Sequence, residues 1–476
     1  MPPDDSLNAV LYRALNALNT LTAQTTDDPL HSCPSSALLI LTTYPAALLK
    51  LAHSKIHSYP YSEVPTCWRR LYTDASVREA IRVIRGDVDG GKNVERGCLN
   101  GINASMNGTE DQDRAGGQKR GSGGGGWGDE KEKEKDWVQE AVRLLDMAVI
   151  IAGAPRREEM VEEILGALQN YVEKQELDPG LPRKKRRRGE EDGTFPMTEG
   201  KNVPEIRKPI PTVSNMSMAS FEKHLKTGSP LVIRDALTHW PALHERPWKS
   251  PEYLLKRTFG GRRLIPVEIG RSYTDEGWGQ KIVTFREFMD GCLLHGLPDE
   301  PDGQAAPSSS IGYLAQHDLF TQIPSLRNDI SIPDYCYTDP PPPSPGTPLA
   351  SKPPTPKLDE PMLNAWFGPA GTVSPLHTDS YHNVLCQVVG KKYVRLYAPT
   401  ESEKVYPKGV EGGGIDMSNT SEVDVEDVDP VRFPLFEKAE YVECILKAGE
   451  CLYIPVGWWH YVRSLTVSFS VSFWWN

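Results

Sequence analysis

The chain has 476 residues, room for about two to four domains at roughly 100–200 residues each, which excludes a small stapled scaffold. Charged residues at 25% and hydrophobic residues at 38% exclude a wholly unfolded polymer and a protein built mainly of membrane spans. A net charge of −11 excludes a body made throughout to coat nucleic acid, while leaving room for a local basic patch.

The first residues, Met1-Pro-Pro-Asp-Asp5, are acidic where a secretory signal is basic, and no apolar core follows them. The eight cysteines are scattered without a C-x-x-C pair, as expected of free thiols in a reducing compartment. The most apolar stretch, 37–52, is interrupted by Thr42, Thr43, Tyr44 and Pro45 and falls short of the ~18 uninterrupted residues of a spanning helix. An intracellular protein without a membrane segment is expected.

Leu and Ala recur at three-to-four spacing over 6–21, 37–51 and 68–85, predicting helices. Between 86 and 136 lie 14 of the 40 glycines and a charge run, which reads as an unstructured insertion. Within it, Gly86-Asp-Val-Asp-Gly-Gly91-Lys92-Asn93 nearly spells a phosphate-binding loop. The closing Ser/Thr is missing and no strand precedes it, so it is set aside. Two more helices are predicted, one on Val138, Ala141, Leu144, Leu145 and Ala148 with Asp136 as N-cap, and one after Pro155.

Residues 176–211 read as a linker with six consecutive basic residues at 183–188. Such a run is a nuclear-import signal, a weak contact for nucleic acid, or a solvated linker. Nuclear import is preferred, because the run is short and acids follow it at once; a cytoplasmic pool is also allowed.

After Pro211 short apolar runs are punctuated by turns, predicting strands at 231–234, 264–269, 364–367, 384–389, 393–397, 443–446, 451–454 and 466–474. In the last, Val467, Phe469, Val471 and Phe473 alternate with Ser468, Ser470 and Ser472, giving one greasy face and one of small hydroxyls. The expected fold class is therefore α+β. An all-α domain (1–175, interrupted at 86–136) and a basic linker (176–211) precede a double-sheet jelly-roll or cupin barrel over 212–476. The nine prolines in 339–356 and the seven acids in 409–431 mark two loop insertions expected at the surface.

The chemistry concentrates in Ser374-Pro-Leu-His377-Thr-Asp379. On extended backbone His377 and Asp379 project from one face, converging an imidazole and a carboxylate. His460, in Ile454-Pro-Val-Gly-Trp-Trp-His460, offers a second imidazole at the mouth of another strand. Two histidines and one carboxylate suit non-haem iron, and equally Zn or Mn. Lys392 follows on a later strand, where periodicity alone reads as a solvent-facing lysine. Ser374 and Asn383 add polar side chains.

Taken together, Asn364-Ala-Trp-Phe-Gly-Pro-Ala-Gly-Thr-Val-Ser374-Pro-Leu-His377-Thr-Asp379, Gly390-Lys-Lys392-Tyr-Val-Arg-Leu-Tyr-Ala-Pro399, Ile454-Pro-Val-Gly-Trp-Trp-His460-Tyr-Val-Arg and Phe473-Trp-Trp-Asn476 resemble the jumonji-C (JmjC) Fe(II)/2-oxoglutarate oxygenases. Within that family the strings are most similar to the subgroup called lysine-specific demethylase eight, also described as a protein arginyl hydroxylase. The resemblance runs from about 213 to 476. It implies a double-stranded β-helix fold, Fe(II) on His377, Asp379 and His460, and 2-oxoglutarate held by Tyr313, Ser374, Asn383 and Lys392 with Trp474 lining the pocket. O2 would be the third reactant, and Glu268 and Trp278 would stand near a protein or histone-tail substrate. The implied activity is side-chain hydroxylation, arginyl preferred, with methyl-lysine demethylation by the same chemistry as the alternative. A catalytically silent nuclear binding module is the competing reading, disfavoured because the ligand set is complete. The sequence sets no oligomeric state.

Overall fold

The computed structural model describes residues 6–24, 27–88, 136–176, 193–199, 202–272, 274, 277–294, 311–342, 350, 355–411 and 415–476. Most of the expected Gly-rich insertion, the basic run 183–188 and most of the Pro-rich insertion lie outside the described residues. The chain divides into two compact units, Met1–Val172 and Glu173–Asn476.

The first unit is helical: α1 Leu7–Gln24, α2 Ser35–Ile40, α3 Pro45–Ile56, α4 Thr66–Val88, α5 Trp137–Ala152 and α6 Glu158–Glu176. The single helix expected over 37–51 is instead two. Pro45 lacks an N–H and forces Tyr44 out of helical geometry, so the chain restarts with Pro45 at the first position of α3. Asp136 caps α5 by accepting from Gln139 N. Helix α4 is the unit's axis, with Leu71, Ala75, Ala80 and Ile84 all fully buried. It also buries charge. The Arg70 guanidinium donates to Asp74 and to Asp28 (3.2 Å), and Arg157 Nε donates to Asp74 at 3.0 Å, all four side chains being buried.

The second unit is a barrel of two antiparallel sheets. Its strands are β1 Thr212–Val213, β2 Leu231–Ile233, β3 Leu264–Ile269, β4 Gly279–Thr284, β5 Gly312–His317, β6 Met362–Gly368, β7 Val373–His377, β8 His382–Val389, β9 Lys391–Tyr397, β10 Val410–Glu411, β11 Ile415–Asp416, β12 Tyr441–Lys447, β13 Cys451–Ile454, β14 Trp459–Ser464 and β15 Ser468–Trp475. The major sheet runs β1-β2-β13-β8-β15-β6-β5-β3-β4 and the minor sheet β12-β9-β14-β7. Among the named strands of the described residues only β1 and β2 pair in parallel; an isolated parallel bridge joins Pro209 to Glu443.

Alternation decides which side chains enter the barrel. On β15 the apolar set, Phe469, Val471 and Phe473, joins a core shared with Trp240, Trp248 and Phe221 outside the major sheet. Trp240 packs edge-on against Phe473, and Trp248 lies 4.5 Å from Phe469. The hydroxyl face therefore turns into the barrel, where Ser470 donates to Gln387 and Ser472 accepts from Trp366 Nε1. On β9 the inward set is Lys392, Val394 and Leu396, the last two packed with Leu385, Leu452, Ile454 and Val462 from both sheets. Lys392 is 2% exposed, so the reading of a solvent-facing lysine fails because position parity puts it in the barrel.

Two other expectations need correction. The described part of the 176–211 linker is packed: Phe195 is buried edge-on against Phe367, and backbone bonds between Ile210, Lys208 and Glu443 extend the minor sheet beyond β12. The acid-rich 409–431 insertion is not simply a surface loop either. Its alternate valines, Val423 and Val425, are buried with Tyr397, Trp459 and Tyr461 on the outer face of the minor sheet, leaving the acids outermost.

Candidate metal centre and co-substrate pocket

His377 and His460 are directly opposed across the antiparallel β7–β14 ladder, which sends both imidazoles to the same face. Asp379 lies just beyond β7, its carbonyl accepting from Gly457 N at 3.4 Å. His377 Nε2 stands 3.8 Å from Asp379 Oδ1, and His460 Nε2 stands 3.4 Å from Asp379 Oδ2. One donor atom from each residue lies within 4.8 Å of the other two, the only such trio of His, Cys, Asp or Glu among the described residues.

Tautomers are set by backbone carbonyls. His377 Nδ1 lies 2.7 Å from Pro375 O and His460 Nδ1 lies 3.0 Å from Trp458 O. A carbonyl only accepts, so each Nδ1 carries the proton and each Nε2 lone pair faces Asp379, as in metal-binding histidines. Burial, then the neighbouring His460, pulls His377 down to about 4. Burial opposes the charge on both Asp379 and His460, but their mutual attraction prevails, lowering the acid and raising the base. Two neutral-capable imidazoles and one carboxylate with an open side fit an Fe(II) ion, and the donor set also suits Zn or Mn.

Behind the trio, Tyr313, Trp366, Ser374, Asn383, Lys392 and Ser472 line one pocket with the three candidate ligands. Lys392 Nζ sits 3.2 Å from Tyr313 OH and 5.5 Å and 6.0 Å from the centres of the Tyr313 and Trp366 rings. No carboxylate of the described residues pairs with it, and burial pulls it down to about 7. An ammonium with spare donors at the closed end of a pocket whose other end carries the trio fits a dicarboxylate such as 2-oxoglutarate. Asn383 and Ser374 stand beside Asp379 and Tyr313 respectively, each favouring the ionised form of its neighbour.

Trp474 shares the inward-facing parity of Ser470 and Ser472 on β15. It faces Asn383 across β15–β8 and stacks on Tyr381 at 6.0 Å. Trp366 and Ser472 also line the pocket. Trp366 stands within a string used for the resemblance and Ser472 on the hydroxyl face of β15, but nothing in their spacing marked them as a bonded pair.

Glu268 and Trp278 are brought together. Glu268 on β3 is in register with Tyr313 on β5, and burial pushes it up while the neighbouring Trp278 side chain favours its ionised form. The Trp278 ring is exposed. No Lys or Arg pairs with Glu268 among the described residues.

Sequence reasoning missed how the acid-rich insertion is attached. Ser421 N donates to Leu376 O (2.8 Å), Thr378 N donates to Asn419 O (2.8 Å), and His377 bridges Thr420. The segment thus covers the free edge of β7, on the opposite side from β14. A second, larger cavity lies beneath it on the outer face of β7, floored by Val373 and Pro375 and walled by the ion pairs Arg271–Asp424 and Arg432–Glu422. It contains none of the candidate ligands.

Comparison with known proteins agrees with this architecture. Residues 217–476 match the cupin-like domain family. The chain is 39% identical to a protein of Danio rerio named lysine-specific demethylase 8, over 71% of this chain and 75% of the relative, and 46% identical to its Xenopus tropicalis namesake, over 56% and 53%. It is 26% identical to the human bifunctional peptidase and (3S)-lysyl hydroxylase JMJD7, over 52% and 77%. It spans three-quarters of the first of these relatives and about half of the second. The chain belongs to the JmjC branch of the cupin-like family and is an oxidoreductase of the 2-oxoglutarate oxygenase type.

Proposed function

We propose that the chain is an Fe(II)- and 2-oxoglutarate-dependent dioxygenase that hydroxylates an arginine side chain in a protein. The observation that carries the choice of substrate is Glu268. It is a half-buried carboxylate without a cationic partner among the described residues, beside an exposed indole and next to the co-substrate tyrosine. A planar guanidinium satisfies such a group with two parallel N–H···O bonds while its face lies on Trp278.

When bound, iron, 2-oxoglutarate and O2 supply the power to oxidise an unactivated C–H bond. The residues of this chain do the rest. His377, Asp379 and His460 would hold the ion, with the Nδ1 hydrogen bonds to Pro375 and Trp458 fixing both rings. Lys392 would pair with the far carboxylate of 2-oxoglutarate, and Tyr313 keeps Lys392 aimed along the pocket. Leu385, Ile454 and Val462 keep water from the inner wall.

Methyl-lysine demethylation by the same centre is the second reading, supported by the names of the Danio rerio and Xenopus tropicalis relatives. The basic run 183–188 supports action in the nucleus on a protein such as a histone tail. The reading is tested with paired arginine and methyl-lysine peptides, scored by mass. A gain of one oxygen on arginine, weakened chiefly through KM in Glu268→Gln, is expected. Loss of methyl from lysine without arginine oxidation overturns the choice of arginine.

A further inference from the structure

In the helical unit two histidines stand one turn apart near the end of α3, and the oxygenase chemistry uses neither. His53 Nε2 and His57 Nε2 are 3.0 Å apart, with ring centroids 4.2 Å apart and planes tilted by 58°. Histidines at i and i+4 share a helix face and present their nitrogens to one point.

The spacing is informative. Two nitrogens each ~2.0–2.1 Å from one metal ion lie about 2.9 Å apart at a right-angled corner and about 3.4 Å apart at a tetrahedral one. The observed distance falls near the right-angled value, the corner of a tetragonal site. Without an ion the same contact is an N–H···N hydrogen bond between neutral rings, so the rings stand almost in place for either partner.

The surroundings favour a cation. His53 and His57 occupy the last turn and C-cap of a 12-residue helix, where the carbonyl end of the dipole attracts positive charge. Burial, then His57, lowers the His53 pKa, which keeps its lone pair free at neutral pH. Tyr72 packs behind His53, ring centroids 6.2 Å apart, while His57 is exposed. Water therefore has access to the remaining coordination positions.

We propose that His53 and His57 form a two-histidine surface site for one divalent late transition-metal ion of tetragonal preference, Cu2+ foremost, separate from the barrel's His377–Asp379–His460 centre. Copper leads because imidazole nitrogens bind it most strongly in the divalent series and its geometry matches the corner.

The test uses the full chain carrying His377→Ala, so that the barrel trio is broken, titrated with Cu2+ against a chromophoric chelator. One ion should bind, with a two-nitrogen signature in its electron paramagnetic resonance spectrum. Either H53Q or H57Q should weaken it at least tenfold, because each breaks the chelate. His57 is solvent-exposed, so H57Q leaves the helical circular dichroism unchanged and serves as the fold-neutral variant. Undiminished binding in the double variant, or no binding to the parent, overturns the proposal.

Discussion

His377 and His460 face each other across one rung of the β7–β14 ladder, with ring centroids 4.1 Å apart and each Nδ1 turned back to the carbonyl two residues earlier in the chain. One cross-strand pair therefore determines both where the imidazoles meet and which nitrogen each offers. Asp379, tethered to Gly457 on the turn leading to β14, completes the trio from the adjoining loop.

The buried Lys392 makes co-substrate binding depend on pH. Burial pulls its pKa down to about 7, so without 2-oxoglutarate the amine is increasingly neutral above that value, whereas the far carboxylate requires the ammonium. Binding must then take up a proton, and affinity falls as pH rises from 7 to 9, approaching tenfold per pH unit. Calorimetry in buffers of different ionisation enthalpy measures that uptake. Lys392→Met should weaken 2-oxoglutarate by about 1.5–3 kcal/mol and abolish the pH slope; a slope that persists in the variant contradicts the assignment.

Gly368 makes room for Tyr313. A Cβ there would lie 2.8 Å from Tyr313 Cδ2 and 3.0 Å from Thr372 Cγ2. Gly368→Ala should cost about 1–3 kcal/mol through overpacking and displace the tyrosine. Weaker 2-oxoglutarate binding with unchanged affinity for Fe(II) or Mn2+ is expected, measured by separate titrations. Equal loss of both would place the damage in the barrel as a whole.

The acid-rich segment supports the strand that carries His377. Ser421→Pro removes the N–H that donates to Leu376 O and the hydroxyl that donates to Val405 O and accepts from Val423 N, three bonds at about 0.5–1.5 kcal/mol each. Amide exchange at residues 376–379 should quicken and metal affinity fall severalfold. Unchanged exchange at those amides would show that β7 needs no support on that edge.

In the helical unit, Asp74 accepts from both Arg70 and Arg157 inside the core. Asp74→Ala leaves buried Arg157 without a carboxylate and Arg70 with Asp28 alone, and a loss of about 3–5 kcal/mol is expected from chemical denaturation of the full chain, confined to the transition of that unit. A loss below about 1 kcal/mol would mean that solvent reaches the cluster.

Legibility in the sequence followed the reach of each physical signal. Strands 264–269 and 451–454 were readable to the residue because both have turn signals at their ends and β-branched or aromatic centres. The strands at 279–284 and 312–317 carry Gly, Lys, Gln and His and lack an apolar rhythm, so tertiary pairing alone makes them strands. His377 and Asp379 were visible through local spacing, and His460 through a motif 83 residues on. The burial of Lys392 depended on which face of β9 turns inward, a fact set by the second sheet. The packing of Phe195, the edge contact at Ser421 and the Trp366–Ser472 bond join segments far apart in sequence and left no local trace.

The most direct test follows oxygen and carbon together. The full chain is supplied with Fe(II), 2-oxoglutarate, isotopically labelled O2 and an arginine peptide, and succinate and peptide-bound label are counted in the same reaction. One labelled oxygen on arginine per succinate is predicted, with both products lost in Asp379→Ala. Succinate and labelled arginine formed undiminished by Asp379→Ala, or no label in any peptide by wild-type protein with iron demonstrably bound, would contradict the account.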